Sequence, residues 1–141
     1  MATVGAPSAQ QQAWKLVLGI FLEQRSKMLS AAQEFGLAPQ QAFALKHLQS
    51  GEPMKLSDLA QALRCDNSSV TGIADRLEKA GLAERQAHPT DRRVKTLALT
   101  ERGKVIRKLY DERIGTAPAA LQSLTDEDAA ILVEILSRAK P

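Results

Sequence analysis

The stretch DNSSVTGIADRL, Asp66 to Leu77, decides how this chain is read. Val70, Ile73, Ala74 and Leu77 fall at i, i+3, i+4 and i+7, the spacing of one buried stripe on an α-helix. The opposite face carries Ser68, Thr71 and Gly72, small residues with poor helix propensity. A mid-helix glycine costs roughly 1 kcal/mol relative to alanine. A helix weakened on its free face but well patterned on its buried one calls for a reason outside the helix itself.

Working outward, Asp66 is the expected N-cap and Gly81 the expected stop. Upstream, Ser57 is expected to cap a shorter helix, LSDLAQALR, with Leu59, Ala60 and Leu63 as its apolar residues. A tight turn at Arg64-Cys65 joins the two, which makes a helix-turn-helix. Downstream the period changes to two. Leu82–Ala87 and VKTLALT alternate around the Pro-containing turn HPTDRR, the pattern of a β-hairpin. Thr100 is positioned to cap ERGKVIRKLYDERI, Pro118 interrupts the helical pattern, and Thr125 starts a last helix with Ile131, Leu132, Ile135 and Leu136 as its stripe. Towards the N-terminus, a helix is expected from about Ala9 to Phe35, with Gly36 as its cap. Pro39 opens another that runs to about Gln49. Residues 1–8 read as a disordered tail. The expected fold is mainly α with a small β-hairpin wing (α+β): a winged helix-turn-helix whose second helix, in such architectures, enters the DNA major groove.

Bulk properties agree without deciding. Of 141 residues only 4% are aromatic, so the core must be aliphatic. The net charge is +3, but Arg64 to Lys108 holds eleven Lys and Arg against six Asp and Glu, 11 − 6 = +5, leaving −2 elsewhere. A polyanionic partner suits that concentration, as does an ordinary solvated surface. The single cysteine, Cys65, excludes an internal disulfide and fits a cytoplasmic setting. No stretch approaches the roughly 18 apolar residues of a membrane span.

The motifs SSVTGIADRLEKAGLAER, DRR and LALTERG resemble those of the MarR (multiple antibiotic resistance regulator) family of winged-helix transcription factors. The matching positions are Asp75, Arg76, Leu77, Glu78, Gly81 and Leu82 on the helix, Asp91 and Arg93 in the wing, and Leu99, Thr100 and Gly103 beyond it. The resemblance is specific over about Leu56 to Gly103. It implies a homodimer with intertwined first and last helices, so that residues 9–35 and 104–141 form a helical dimerisation region and 36–103 a DNA-binding lobe. It also implies a transcriptional regulator, here read as a repressor on a pseudo-palindromic operator, controlled by a small ligand or by oxidation.

On the free face of the second helix, Asn67, Ser68, Ser69 and Thr71 offer hydrogen bonds to base edges, and Gly72 leaves room for the backbone to approach. First-turn capping would also account for the hydroxyls. Arg76 has two readings, a phosphate ligand or a partner of Asp91 or Asp75. In the wing, a carboxylate beside an arginine orients the guanidinium. By resemblance Arg93 is the residue that enters the minor groove, with Asp91 as its orienter, and Arg92 meets phosphate.

Cys65 lies where an apolar residue plugs the turn between helices and is read as core. The reactive cysteine that the resemblance places in the first helix has no counterpart here. By resemblance, a pocket for a small aromatic or anionic effector draws on Trp14, Phe21, Arg25, Phe43, His47 and Tyr110; an arginine among aromatics suits an aromatic carboxylate. The same residues also read as core or dimer packing. His47 and His88 are far apart in sequence and in no ligand spacing, so no metal and no cofactor is expected. No catalytic constellation appears, and no enzyme is expected. Two other classes fit a winged helix: a protein–protein interaction module and a sequence-independent DNA-binding protein.

Overall fold

The computed structural model describes residues 5–48 and 51–139. The elements run α1 (Ala9–Glu34), α2 (Pro39–His47), β1 (Met54–Lys55), α3 (Leu56–Leu63), α4 (Asn67–Lys79), β2 (Ala83–Ala87), β3 (Lys95–Leu99), α5 (Glu101–Ile114), α6 (Ala119–Gln122) and α7 (Asp126–Arg138). Two compact units are distinguished, Met28–Gly115 and the described residues before and after it. The first contains the winged lobe, and it is wider than residues 36–103: the end of α1 and all of α5 fold with it.

Helix boundaries follow from local chemistry. The Asp66 carboxylate accepts from the Ser69 backbone N–H at 2.7 Å and caps α4. At the other end Gly81 takes φ +72°, and the Leu82 N–H reaches back to the Leu77 carbonyl at 2.9 Å. That six-to-one closure needs a left-handed residue, which glycine supplies without strain. Between α3 and α4 the same closure, Cys65 N–H to the Ala60 carbonyl at 3.0 Å, is made with Arg64 in the left-handed region at φ 53°. Thr100 caps α5 through Gly103 N–H, and Thr125 caps α7 through Asp128 N–H.

Three expectations are corrected. Ser57 is not a cap: α3 starts at Leu56, with Lys55 in the cap position and no side-chain bond. The cause is β1, where Met54 and Lys55 pair with Leu97 and Thr96, so the chain passes straight from strand into helix. The wing is accordingly a three-stranded antiparallel sheet, β1-β3-β2, rather than a lone hairpin. Ser8 caps α1 rather than lying loose in the tail. Its hydroxyl accepts from Gln11 N–H while the Gln11 side chain accepts from Ser8 N–H, a capping box. Residues 1–4 of the expected tail, and Gln49 at the expected end of α2, lie outside the described residues.

Within Met28–Gly115 the core is aliphatic, as composition requires. Leu45, Leu48, Leu59, Leu77 and Leu97 are fully buried, and Val70, Ile73 and Ala74 join them from α4. Tyr110 of α5 is its largest member; it packs edge-on to Phe35 with centroids 6.5 Å apart and donates its hydroxyl to the Met28 carbonyl. Burial pushes the Tyr110 phenol pKa up.

The Leu99-Thr100-x-x-Gly103 segment binds the wing to the lobe. The Thr100 hydroxyl donates to the Gly81 carbonyl at 2.6 Å, and Thr100 N–H donates to the Leu82 carbonyl at 3.1 Å. A Cβ on Gly103 would lie 1.8 Å from that same Leu82 oxygen. Only glycine lets the first turn of α5 approach so closely.

In the other unit, Trp14, Leu16, Val17, Phe21 and Leu22 of α1 are exposed, and so are Ile131, Val133, Ile135 and Leu136 of α7. Of the stripe expected on the last helix, Ile131, Ile135 and Leu136 are therefore open in the single chain and Leu132 is half-buried.

Candidate nucleic-acid interface

Burial of Val70, Ile73, Ala74 and Leu77 settles which face of α4 is free. Asn67, Ser68, Ser69 and Thr71 are all exposed at its N-terminal end, where unsatisfied amides and the helix dipole favour an anion. Some of their polar groups are already used. The Ser68 hydroxyl donates to Asp66 Oδ1 at 3.0 Å, and the Thr71 hydroxyl donates to the Asn67 carbonyl at 2.8 Å. The capping role weighed for the serines is thus real for Ser68, yet each hydroxyl keeps acceptor capacity, and Thr71 keeps its methyl. The bonds from Ser69 and Ser68 hold the Asp66 carboxyl below its ordinary pKa, so it is an anion at neutral pH.

Gly72 is half-buried. The Arg76 guanidinium lies over it: Nη2 would be 3.6 Å from a Cβ placed there. Arg76 is exposed and makes no ion pair among the described residues, so neither Asp75 nor Asp91 is its partner. Asp75 is instead taken by Arg85 of β2, at 2.7 Å. Arg85 also bonds both oxygens of Glu78, one through its backbone N–H at 2.8 Å, and the Thr71 carbonyl at 3.3 Å. Its pKa is lowered by burial but raised by more through the bonds and charges of Asp75 and Glu78. This link was not legible in the sequence, because Arg85 is one of several arginines and nothing in its spacing selects its partners.

At the wing tip, Asp91 Oδ1 accepts from the backbone N–H of Arg93 at 3.0 Å and from its Nε at 3.2 Å, while Oδ2 faces Nη2 at 3.4 Å. The side-chain bond from Arg93, then its backbone bond, lowers the Asp91 pKa. The Arg93 side chain is 92% exposed despite this fork. The guanidinium is therefore oriented and presented outward together. Arg92 is exposed beside it.

The six residues offered for an effector pocket have separate fates. Tyr110 is instead a core residue, because its ring is buried and its hydroxyl donates to the Met28 carbonyl. Trp14, Phe21 and Arg25 are exposed on α1, and Phe43 is exposed on α2. His47 lines a cavity of about 310 Å³ with Met54, Lys55, Asp58, His88 and Thr96, so the two histidines distant in sequence share one cavity. Among the described residues no group of His, Cys, Asp and Glu is placed to hold a metal ion. Cys65 is a free thiol, half-buried against the lobe's core.

A helix-turn-helix with its second helix exposed along one face, braced against a sheet whose hairpin carries an oriented arginine, is the winged helix-turn-helix class. The chain belongs to the MarR family. It matches that family over residues 37–95. It is 32% identical over 110 residues to the HTH-type transcriptional repressor MdtR of Bacillus subtilis (strain 168), spanning 77% of this chain and 71% of MdtR. AbsC, a MarR family transcriptional regulator from Streptomyces coelicolor, has the same fold at a TM-score of 0.74 and 25% identity, covering 95% of this chain and 94% of that one. A mutant of Staphylococcus aureus MepR, solved bound to an oligodeoxyribonucleotide, shares the fold at a TM-score of 0.63 and 22% identity, over 91% of this chain and 98% of its own. Membership places the chain among DNA-binding transcriptional regulators rather than enzymes.

Proposed function

We propose that this regulator is a homodimeric repressor that reads a pseudo-palindromic operator. The two copies of α4 enter successive major grooves roughly 34 Å apart, and the wings flank them. Asn67, Ser68, Ser69 and Thr71 meet base edges, Gly72 allows close approach, and Arg76 and Arg92 meet phosphate. Arg93, held by Asp91, enters the minor groove. The observation that carries this reading is the pairing of an open small-residue face on α4 with an oriented, outward arginine in the wing. Repressor is the description of MdtR, and MepR is a member of the same fold solved on DNA.

Dimerisation is assigned to the helices outside residues 36–103. Exposed apolar side chains on α1 and α7 are what a second copy would cover. Within Met28–Gly115, Phe43 and His47 of α2 remain the residues proposed for a small aromatic or anionic effector. No helix among the described residues is long and apolar enough to cross a membrane, and a cytoplasmic location beside DNA is part of the same reading.

Selection of bound duplexes from a random pool tests it, followed by titration of the winner and a random duplex at one salt concentration. The reading expects a two-fold-symmetric consensus and a preference of at least about a thousandfold. Equal binding of both duplexes would instead identify a sequence-independent DNA-binding protein, and no binding at any salt would favour a protein–protein module.

A further inference from the structure

The motif residues Asp75 and Glu78 have no role in the recognition scheme above. Both are acidic, and Asp75 stands 63% exposed on a helix that would lie against phosphates. Thr71, Asp75 and Glu78 are spaced i, i+4 and i+7, so they share one face of α4. Arg85 of β2 reaches all three. Its Nη2 meets Asp75 at 2.7 Å and the Thr71 carbonyl at 3.3 Å, its Nη1 meets Glu78, and its backbone N–H meets Glu78 at 2.8 Å. The side chain is only 25% exposed. With these bonds made, Arg85 has little left to offer a phosphate, in contrast to Arg76, Arg92 and Arg93.

We propose that Arg85 is a positioning residue for DNA recognition. It sets the angle between α4 and the wing and neutralises the two carboxylates of α4. Resting on the reading that α4 and the wing face DNA, this names how the two are held in register. β2 pairs with β3 from Ala83–Leu99 to Ala87–Lys95, and that hairpin carries Asp91 and Arg93. A shift at Arg85 therefore moves the tip and the helix relative to each other. A two-nitrogen fork is required: Nη1 serves Glu78 while Nη2 serves Asp75 and the Thr71 carbonyl, and the single nitrogen of an ammonium cannot occupy both positions.

The decisive experiment is Asp75→Asn in the full chain, titrated against the selected duplex and a random duplex at one salt concentration. Charge alone predicts tighter binding to both, since a negative group beside the phosphates is removed. Positioning predicts that the ratio of specific to random affinity falls by about tenfold, the size of one mismatched base pair. Arg85→Lys should lower the ratio similarly while keeping the charge, with the unfolding midpoint followed in parallel. Asp75 is exposed, so its variant keeps the test valid even where Arg85 variants unfold. An unchanged ratio in Asp75→Asn, or a wild-type ratio in Arg85→Lys, overturns the proposal. A wild-type protein without preference for any duplex would overturn the DNA-face reading with it, and that outcome is distinct from selective wild type with an unaffected variant.

Discussion

The guanidinium of Arg76 lies over Gly72, 3.6 Å from where a Cβ on that glycine would sit. An alanine therefore fits in ordinary contact, and no steric need among the described residues requires glycine there. Gly72→Ala should raise stability by up to about 1 kcal/mol, the helix-propensity difference. Specific DNA affinity should fall, and Gly72→Leu, which must displace Arg76, should abolish it. Denaturant unfolding beside duplex titration separates the two effects; a variant both more stable and equally specific would remove Gly72 from the interface.

Arg93→Ala should cost about 1–3 kcal/mol of DNA affinity and relax preference at the positions beneath the wing. The side chain pairs with Asp91 and is 92% exposed, so the unfolding midpoint should hardly move. Asp91→Ala should reproduce part of the loss by freeing the guanidinium. Affinity measured at fixed salt checks both.

Gly103→Ala should behave in the opposite sense. Its Cβ would sit 1.8 Å from a backbone oxygen of Leu82, and backbone cannot rotate away. Overpacking of this kind costs roughly 1–3 kcal/mol or more. Thermal unfolding should register it, and the wing should loosen with it, because the same Leu82 carbonyl accepts from Thr100.

The α4 cap predicts a pH response. The bond from Ser69 N–H, then those from the Ser69 and Ser68 side chains, lowers the pKa of Asp66 in the folded state. A depressed carboxylate contributes stability above its unfolded pKa, about 3.9, and loses it as pH falls through the folded value. The wild-type advantage over Asp66→Asn, whose amide caps at every pH, should therefore be constant near neutrality and shrink below about pH 4. Unfolding midpoints of both proteins from pH 7 to pH 3 measure this.

Leu132→Glu with Leu136→Glu should convert the proposed dimer to monomer. Leu136 is exposed in the single chain and Leu132 only half-buried, so the fold of the winged lobe should survive. Sedimentation velocity reads the mass, and circular dichroism the fold. A variant still dimeric would place the dimer surface elsewhere.

Much of this architecture is written locally. Val70, Ile73, Ala74 and Leu77 needed only their spacing to be recognised as buried. Asp66, Thr100 and Thr125 needed only their place before a periodic run. Gly36 and Gly81 needed only the left-handed turn that ends a helix. Each signal acts over at most one or two helical turns, which is the range over which backbone amides and carbonyls find their partners. Ser57 misled because its context is not local. A two-residue strand pairing with Leu97 and Thr96, some forty positions on, draws the helix start forward to Leu56.

The functional face divides in the same way. Sequence by itself determined that α4 has a small, polar free face and that Asp91 stands next but one to Arg93, close enough for a carboxylate and a guanidinium to pair. Only the tertiary structure decided that Asp75 belongs to Arg85 and not to Arg76, that Tyr110 is core, that His47 and His88 share a cavity, and that Gly103 must be glycine. The reason is distance along the chain: these contacts join elements whose relative placement is set by burying one aliphatic core, and no pattern within a single element carries that information.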